Sequence, residues 1–226
     1  MSTAYVESRP GGVAAYGGLM DAIGGIAAAV IAVVGLTGFD PLLMTGIATI
    51  VFGAALLIEG GALLSEYAYL GSAAGVVASE TAAAEGGILP MFLFGVGGIV
   101  LGVLAVLGIA PEPLTAIAVI AFGSALLIGS GSVQRLYVLQ SITRMSGARP
   151  TSDLAAAGMA AGSSVVQLLS GLAAIVLGIL AIVGNAPALT LTALLILGIT
   201  ELLQGSTLSG LVRGFMRGTA VDRSMR

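Results

Sequence analysis

The stretch Gly95-Val96-Gly97-Gly98-Ile99-Val100-Leu101-Gly102-Val103-Leu104-Ala105 constrains the fold more than any other part of the chain. It is apolar on every face of a helix, which suits a helix surrounded by lipid and protein rather than one with a wet side. Gly95, Gly98, Gly102 and Ala105 recur at spacings of three, four and three, so a helix carries them on one stripe. In water such a stripe weakens a helix. In lipid it lets a second backbone approach closely, and Gly98-x-x-x-Gly102 is the GxxxG pattern. The stripe recurs as Ala22, Gly25, Ala29, Ala32 and as Gly171, Ala174, Gly178, Ala181. Gly25, Gly95, Gly98, Gly102, Gly171 and Gly178 are therefore the expected helix-packing positions.

Composition agrees with a lipid setting. The 226 residues are 58% hydrophobic and 8% charged, against about a quarter charged in a typical soluble domain. Too few charges remain to keep a soluble surface wet, so an integral membrane protein is expected. The chain has no Cys, His, Lys or Trp. That removes disulfides, the usual zinc, haem and copper ligand sets, a Schiff-base lysine and any Ser-His-Asp or Cys-His relay. The eight Arg form no basic stripe with interleaved aromatics, so nucleic acid is not an expected partner. No cofactor is expected either.

In chain order, residues 1–18 read as a short N-terminal segment with Arg9 and no cleavable leader pattern. A first apolar span over 19–36 then serves as an uncleaved insertion signal. The turn Thr37-Gly38-Phe39-Asp40-Pro41 leads to a second span ending near residue 64. Each span has the ~20 residues needed to cross hydrocarbon, and the short turn makes the pair an antiparallel hairpin over 19–64. A polar connector over 65–87 precedes a second hairpin over 88–139, turning at Ala110-Pro111-Glu112-Pro113. A connector over 140–162 holds Thr151-Ser152-Asp153, a helix-starting cluster. The third hairpin, over 163–212, turns at Gly184-Asn185-Ala186-Pro187, and residues 213–226 form an Arg-rich tail. Phe52-Gly53-Ala54-Ala55-Leu56-Leu57-Ile58 matches Phe122-Gly123-Ser124-Ala125-Leu126-Leu127-Ile128, and Leu197-Gly198-Ile199-Thr200-Glu201-Leu202-Leu203 is a looser third copy. The expected fold is all-α: six transmembrane helices as three tandem repeated hairpins, with a period of 70 to 76 residues.

Arginine sets the expected orientation. With six spans, both termini and both connectors share one side, and all eight Arg lie on it, Arg135 near the end of the fourth span, while the short turns hold only Asp40 and Glu112. The positive-inside rule puts that Arg-bearing side in the cytoplasm. Tyr67, Tyr69 and Tyr137 near span ends fit an interfacial belt.

Three acids fall within spans, and an intramembrane ionisable residue is a functional hypothesis by default. Asp21 and Glu59 lie near the connector end of their helices and read as interfacial carboxylates that reach water. Glu201 lies near mid-bilayer, about 18 Å along the sixth span at 1.5 Å per residue. Gln204 is one turn away, and Gln167 and Ser170 on the antiparallel fifth span fall at similar depth. Glu201, Gln204, Gln167 and Ser170 form either an interhelical clamp that fixes packing, a proton or cation site, or a contact with a partner subunit. Gly95-x-Gly97-Gly98 superficially looks like a dinucleotide loop, but no strand precedes it and it lies within hydrocarbon.

Six Gly- and Ala-rich spans in hairpins, a Pro in each short turn and G-x-x-L-L-I late in the second helix resemble the HdeD-like family of small bacterial membrane proteins. The resemblance rests on Gly102, Pro111 and Gly123 to Leu127, with counterparts Pro41, Gly53 to Leu57, Gly178, Pro187 and Gly198, and covers residues 19–211. It implies a non-enzymatic inner-membrane protein linked to acid or envelope stress, and it supplies no catalytic residues. The expected partners are membrane lipids, further copies of the chain or other membrane subunits. The rival expectation is a small proton- or cation-coupled transporter or channel that uses Glu201.

Overall fold

All seven prolines stand in the first turn of a helix. In the computed structural model, helices α1 (Pro10–Leu36), α2 (Pro41–Ala73), α4 (Pro111–Arg144) and α5 (Pro150–Gly184) each begin on one. The described part of α6 begins on Pro187 and runs to Gln204. In α3 (Ile88–Val106) the third residue is Pro90, and Pro113 is the third residue of α4. A proline here sacrifices no bond, because the first amides of a helix have no intrahelical acceptor, and its fixed φ suits the start. The structure describes the backbone of residues 10–73, 88–144 and 150–204, and the side chains of residues 20, 22–61, 90–129 and 165–204. These described residues hold six helices and no strand. Pro41–Gly61, Pro111–Gly129, Val165–Gly184 and Pro187–Gln204 are long and apolar enough to cross a membrane, with shorter apolar stretches at Ala22–Leu36 and Pro90–Val106. The protein is a helical, membrane-embedded chain.

The helices outrun the apolar spans. α1 begins inside the segment given to the N-terminus, α2 runs nine residues past 64, and α5 starts thirteen before 163. Hydropathy marks where a helix leaves hydrocarbon, whereas the helix itself ends only at a breaker. Ser65 to Ala73 holds no proline, and Pro150 opens α5 where Thr151-Ser152-Asp153 marked a start. At 1.5 Å per residue the 33 residues of α2 span about 50 Å, well beyond ~30 Å of hydrocarbon. Residues 65–73 of the first connector, and 140–144 and 150–162 of the second, are therefore helical. Residues 1–9, 74–87, 145–149 and 205–226 lie outside the described residues, and with them the Arg-rich tail, Glu80 and Glu85.

Turn chemistry closes the short links. Gly108, with φ of 81°, ends α3: its amide donates to Ala105 O, and the Ile109 amide donates to Leu104 O at 3.0 Å. Asn185, with φ of 46°, takes the same left-handed position after α5, and the Ala186 amide donates to Ala181 O. Asp40 Oδ1 accepts the Leu43 amide at 3.3 Å and caps α2.

Glycines seat the helices against one another. A methyl group built on Gly53 would lie 2.8 Å from Gly95 O, and one on Gly102 would lie 3.0 Å from Gly46 O. Gly123 and Gly171 meet in the same way between α4 and α5, as do Gly178 and Ala116 O. Gly25 and Gly198 bring α1 against α6, with 2.5 Å from a Gly25 methyl to Gly198 O. In each of these pairs one residue number rises as the other falls, so the neighbours are antiparallel and the three turns lie at one end. One buried cluster draws on all six helices: Ala28 and Ala32, Phe52 and Leu56, Met91, Phe122 and Leu126, Ala174, Leu194 and Leu197. The Phe52 and Phe122 rings meet with centroids 4.8 Å apart at 54°. The largest fully buried side chains lie almost all on α2, α4 and α6, while α1, α3 and α5 turn Val30, Val100, Leu172 and similar residues outward.

Candidate functional site

Between α5 and α6 the apolar interior gives way to a run of polar side chains. Gln167 Nε2 donates to Gln204 Oε1 at 2.6 Å, joining the two helices amide to amide. One turn nearer the short links, the hydroxyls of Ser170 and Thr200 share a hydrogen bond of 2.7 Å. Thr200 also lies 2.9 Å from Ile196 O on its own helix. Glu201 is 0% exposed, and Gln167 and Ser170 are buried with it. Glu201 stands about 21 Å along α6 from Pro187 by the helical rise, within the apolar span. A methyl on Gly25 would lie 2.9 Å from Glu201 Cβ, so this carboxyl-bearing residue stands on the α1 side of α6.

The four expected polar residues thus split into parts. Gln167 and Gln204 pair directly, Ser170 pairs with Thr200, and Glu201 stands beside the pairs at the α1–α6 contact. Thr200 was not singled out in the sequence, although a hydroxyl at the residue preceding Glu201 in an otherwise apolar run was visible there. Glu59 is half-buried on α2. Asp21 lies on α1, and its side chain falls outside the described residues. The packing glycines are all buried, and what they face was not legible. Gly95 and Gly102 face α2, Gly171 and Gly178 face α4, and Gly25 faces α6, while Gly98 faces the Phe122 ring of α4.

Elsewhere in the interior four hydroxyls turn back onto their own helices. Thr45 donates to Pro41 O, Thr49 to Thr45 O at 2.7 Å, Thr115 to Pro111 O at 2.8 Å and Ser124 to Ile120 O at 2.8 Å. Each of these hydroxyls spends its proton on its own helix. Among the described residues, no three His, Cys, Asp or Glu side chains gather in a way that could hold a metal ion. Chemically, the α5–α6 run joins two helices through amides and hydroxyls and places one carboxyl group in the interior. Compared with protein-family models, with curated proteins and with solved structures, the chain matches none.

Proposed function

We propose that this is a non-enzymatic inner-membrane protein with a structural or accessory role, built from three repeated hairpins that close into a ring. Support for the repeat comes from the contacts. Gly53, Gly123 and Gly198 recur at the 70- to 76-residue period, as do their partners Gly95, Gly171 and Gly25. On this reading α2, α4 and α6 form an inner triad and α1, α3 and α5 an outer one. The stripe on each outer helix seats on the inner helix of the neighbouring hairpin. Both termini and both connectors face the cytoplasm, in keeping with the positions of the arginines. Association with further copies or other membrane subunits then falls to the outer faces of α1, α3 and α5, because the stripes are engaged within the chain. The resemblance to the HdeD-like family carries the same expectation of a stress-related role without catalysis.

One observation carries the non-transport reading: the middle of the inner triad is filled by Phe52, Phe122, Leu56, Leu126, Leu194 and Leu197, all at zero exposure. A conducting path needs successive polar groups, and these six side chains offer none. The second reading, a proton- or cation-coupled site at Glu201, is favoured by a comparison along the repeat. The positions matching Glu201 are Leu56 and Leu126, so the packing of this layer does not call for a carboxyl. The two readings separate in liposomes loaded with a pH-sensitive dye. The structural reading expects no ion flux from the parent. It also expects Glu201→Leu to fold with a loss of about 0.5–2 kcal/mol, the range for interhelical hydrogen bonds in membranes. Flux in the parent that disappears in Glu201→Gln while folding is retained would establish the second reading instead.

A further inference from the structure

The short-turn end of the molecule presents apolar tips where a water-facing end would carry charge. Phe39 is 65% exposed, Leu107 69% and Ile109 53%, from the first two turns, and Val183, in the last helical turn of α5 beside the third, is 81% exposed. The charged residues at this end are Asp40 and Glu112, and Asp40 Oδ1 is already engaged in capping α2. No Arg or Lys lies in any of the three turns. The tips also continue the outward apolar belt without a break: Val33 and Leu36 lead to Phe39, Val103 and Val106 to Leu107 and Ile109, and Leu180 and Ile182 to Val183.

The turn backbones are largely closed on themselves. The Thr37 amide donates to Val33 O, the Gly38 amide to Gly35 O, and the Thr37 hydroxyl to Val34 O at 2.7 Å. The amides of Gly108, Ile109, Ala186 and Leu189 are likewise bonded within the turns. Self-satisfied backbone is what a segment needs where water is scarce.

We infer that the turn end is a lipid-contacting surface: Phe39, Leu107, Ile109 and Val183 insert at the boundary between acyl chains and headgroups rather than projecting into water. Soluble partners are thereby excluded from this end, and any partner reaches the protein within the lipid or from the connector end. The inference rests on the chain being embedded in a bilayer and is independent of the choice between structural and transport roles.

The absence of Trp makes a direct test possible. Single-tryptophan variants Phe39→Trp, Ile109→Trp and Val183→Trp are placed in phosphatidylcholine vesicles, with Val100→Trp on the outward face of α3 as the belt control. Emission is quenched either by iodide in the water or by phosphatidylcholine brominated near the top of its acyl chains. The expected result is blue-shifted emission, at least two-fold weaker iodide quenching than for N-acetyl-tryptophanamide, and clear quenching by the brominated lipid. Tips quenched by iodide like the free indole, with Val100→Trp still quenched by lipid, would overturn the inference while leaving the membrane reading intact. Tips reached by neither quencher would also overturn it, by showing that protein covers this end. A Val100→Trp signal that ignores the lipid would instead defeat the membrane reading itself. All four positions are outward-facing, so the variants leave the packed interior unchanged, and equal thermal unfolding checks this.

Discussion

Adjacent glycines in α3 meet opposite surroundings. A methyl on Gly98 would overlap the ring of Phe122, whereas one on Gly97 meets nothing within 4 Å. Phe122 cannot simply swing aside, because it is fully buried and packed on Phe52. Gly98→Ala is therefore expected to destabilise by about 1–3 kcal/mol, the usual cost of overfilling a packed interior. Gly97→Ala is expected to be neutral or to stabilise by up to about 1 kcal/mol, since alanine restricts a helix less unfavourably than glycine. Thermal unfolding of both variants in one detergent, followed by circular dichroism, checks the pair; equal melting would mean that the α3–α4 contact does not depend on Gly98. The sequence showed which glycines share a stripe, because helical period is a property of one segment. It did not show that Gly98 accommodates a ring while Gly95 accommodates a backbone, because that depends on residues more than twenty positions away.

At the scale of elements, the turns separate two kinds of left-handed residue. Gly108 has φ of 81° and open space around it, so any cost of a side chain there is backbone strain alone. Gly108→Ala is expected to lose about 1–2 kcal/mol, the penalty for a left-handed L-residue. Asn185 already bears a side chain at φ of 46°, and Asn185→Gly relieves that strain, so it is expected to melt no lower than the parent. Chemical unfolding of the two variants side by side checks the contrast. The turns were legible because Gly, Asn, Asp and Pro carry their backbone preferences locally. The far ends of the helices were less so. α2 continues through Ser65 to Ala73, and α5 begins at Pro150, where hydropathy has already fallen. Nothing in an apolar count distinguishes a helix that leaves the membrane from one that stops. The prolines at 10, 41, 111, 150 and 187 mark starts that hydropathy blurred.

At the scale of the molecule, the contact between α1 and α6 decides whether three hairpins stand in a row or close into a ring. A row would leave the Gly25 stripe facing lipid; in the structure Gly25 meets Gly198, and Gly35 meets Leu191. The sequence could not show this closure, because matching copies are compatible with either arrangement. On the ring reading, α6 seats on α1 as α2 does on α3 and α4 on α5. Of these three contacts, only the one between α6 and α1 is not bridged by a connector. The order in which the hairpins are joined should then matter little. The circular permutant that opens the chain between residues 145 and 149 and joins residue 226 to residue 1 through a flexible Gly/Ser linker keeps every interhelical contact. It is expected to insert, to run as the parent does on size exclusion, and to melt within a few degrees of it. Gly198→Leu, which drives a branched side chain into Gly25 O and the Ala29 amide, is expected to lower the melting temperature in both the parent and the permutant. If the permutant fails to fold while an ordinary cut between 145 and 149 is tolerated, the α1–α6 contact does not close a ring of equivalent units. If Gly198→Leu melts like the parent, that contact contributes nothing, and the hairpins stand in a row.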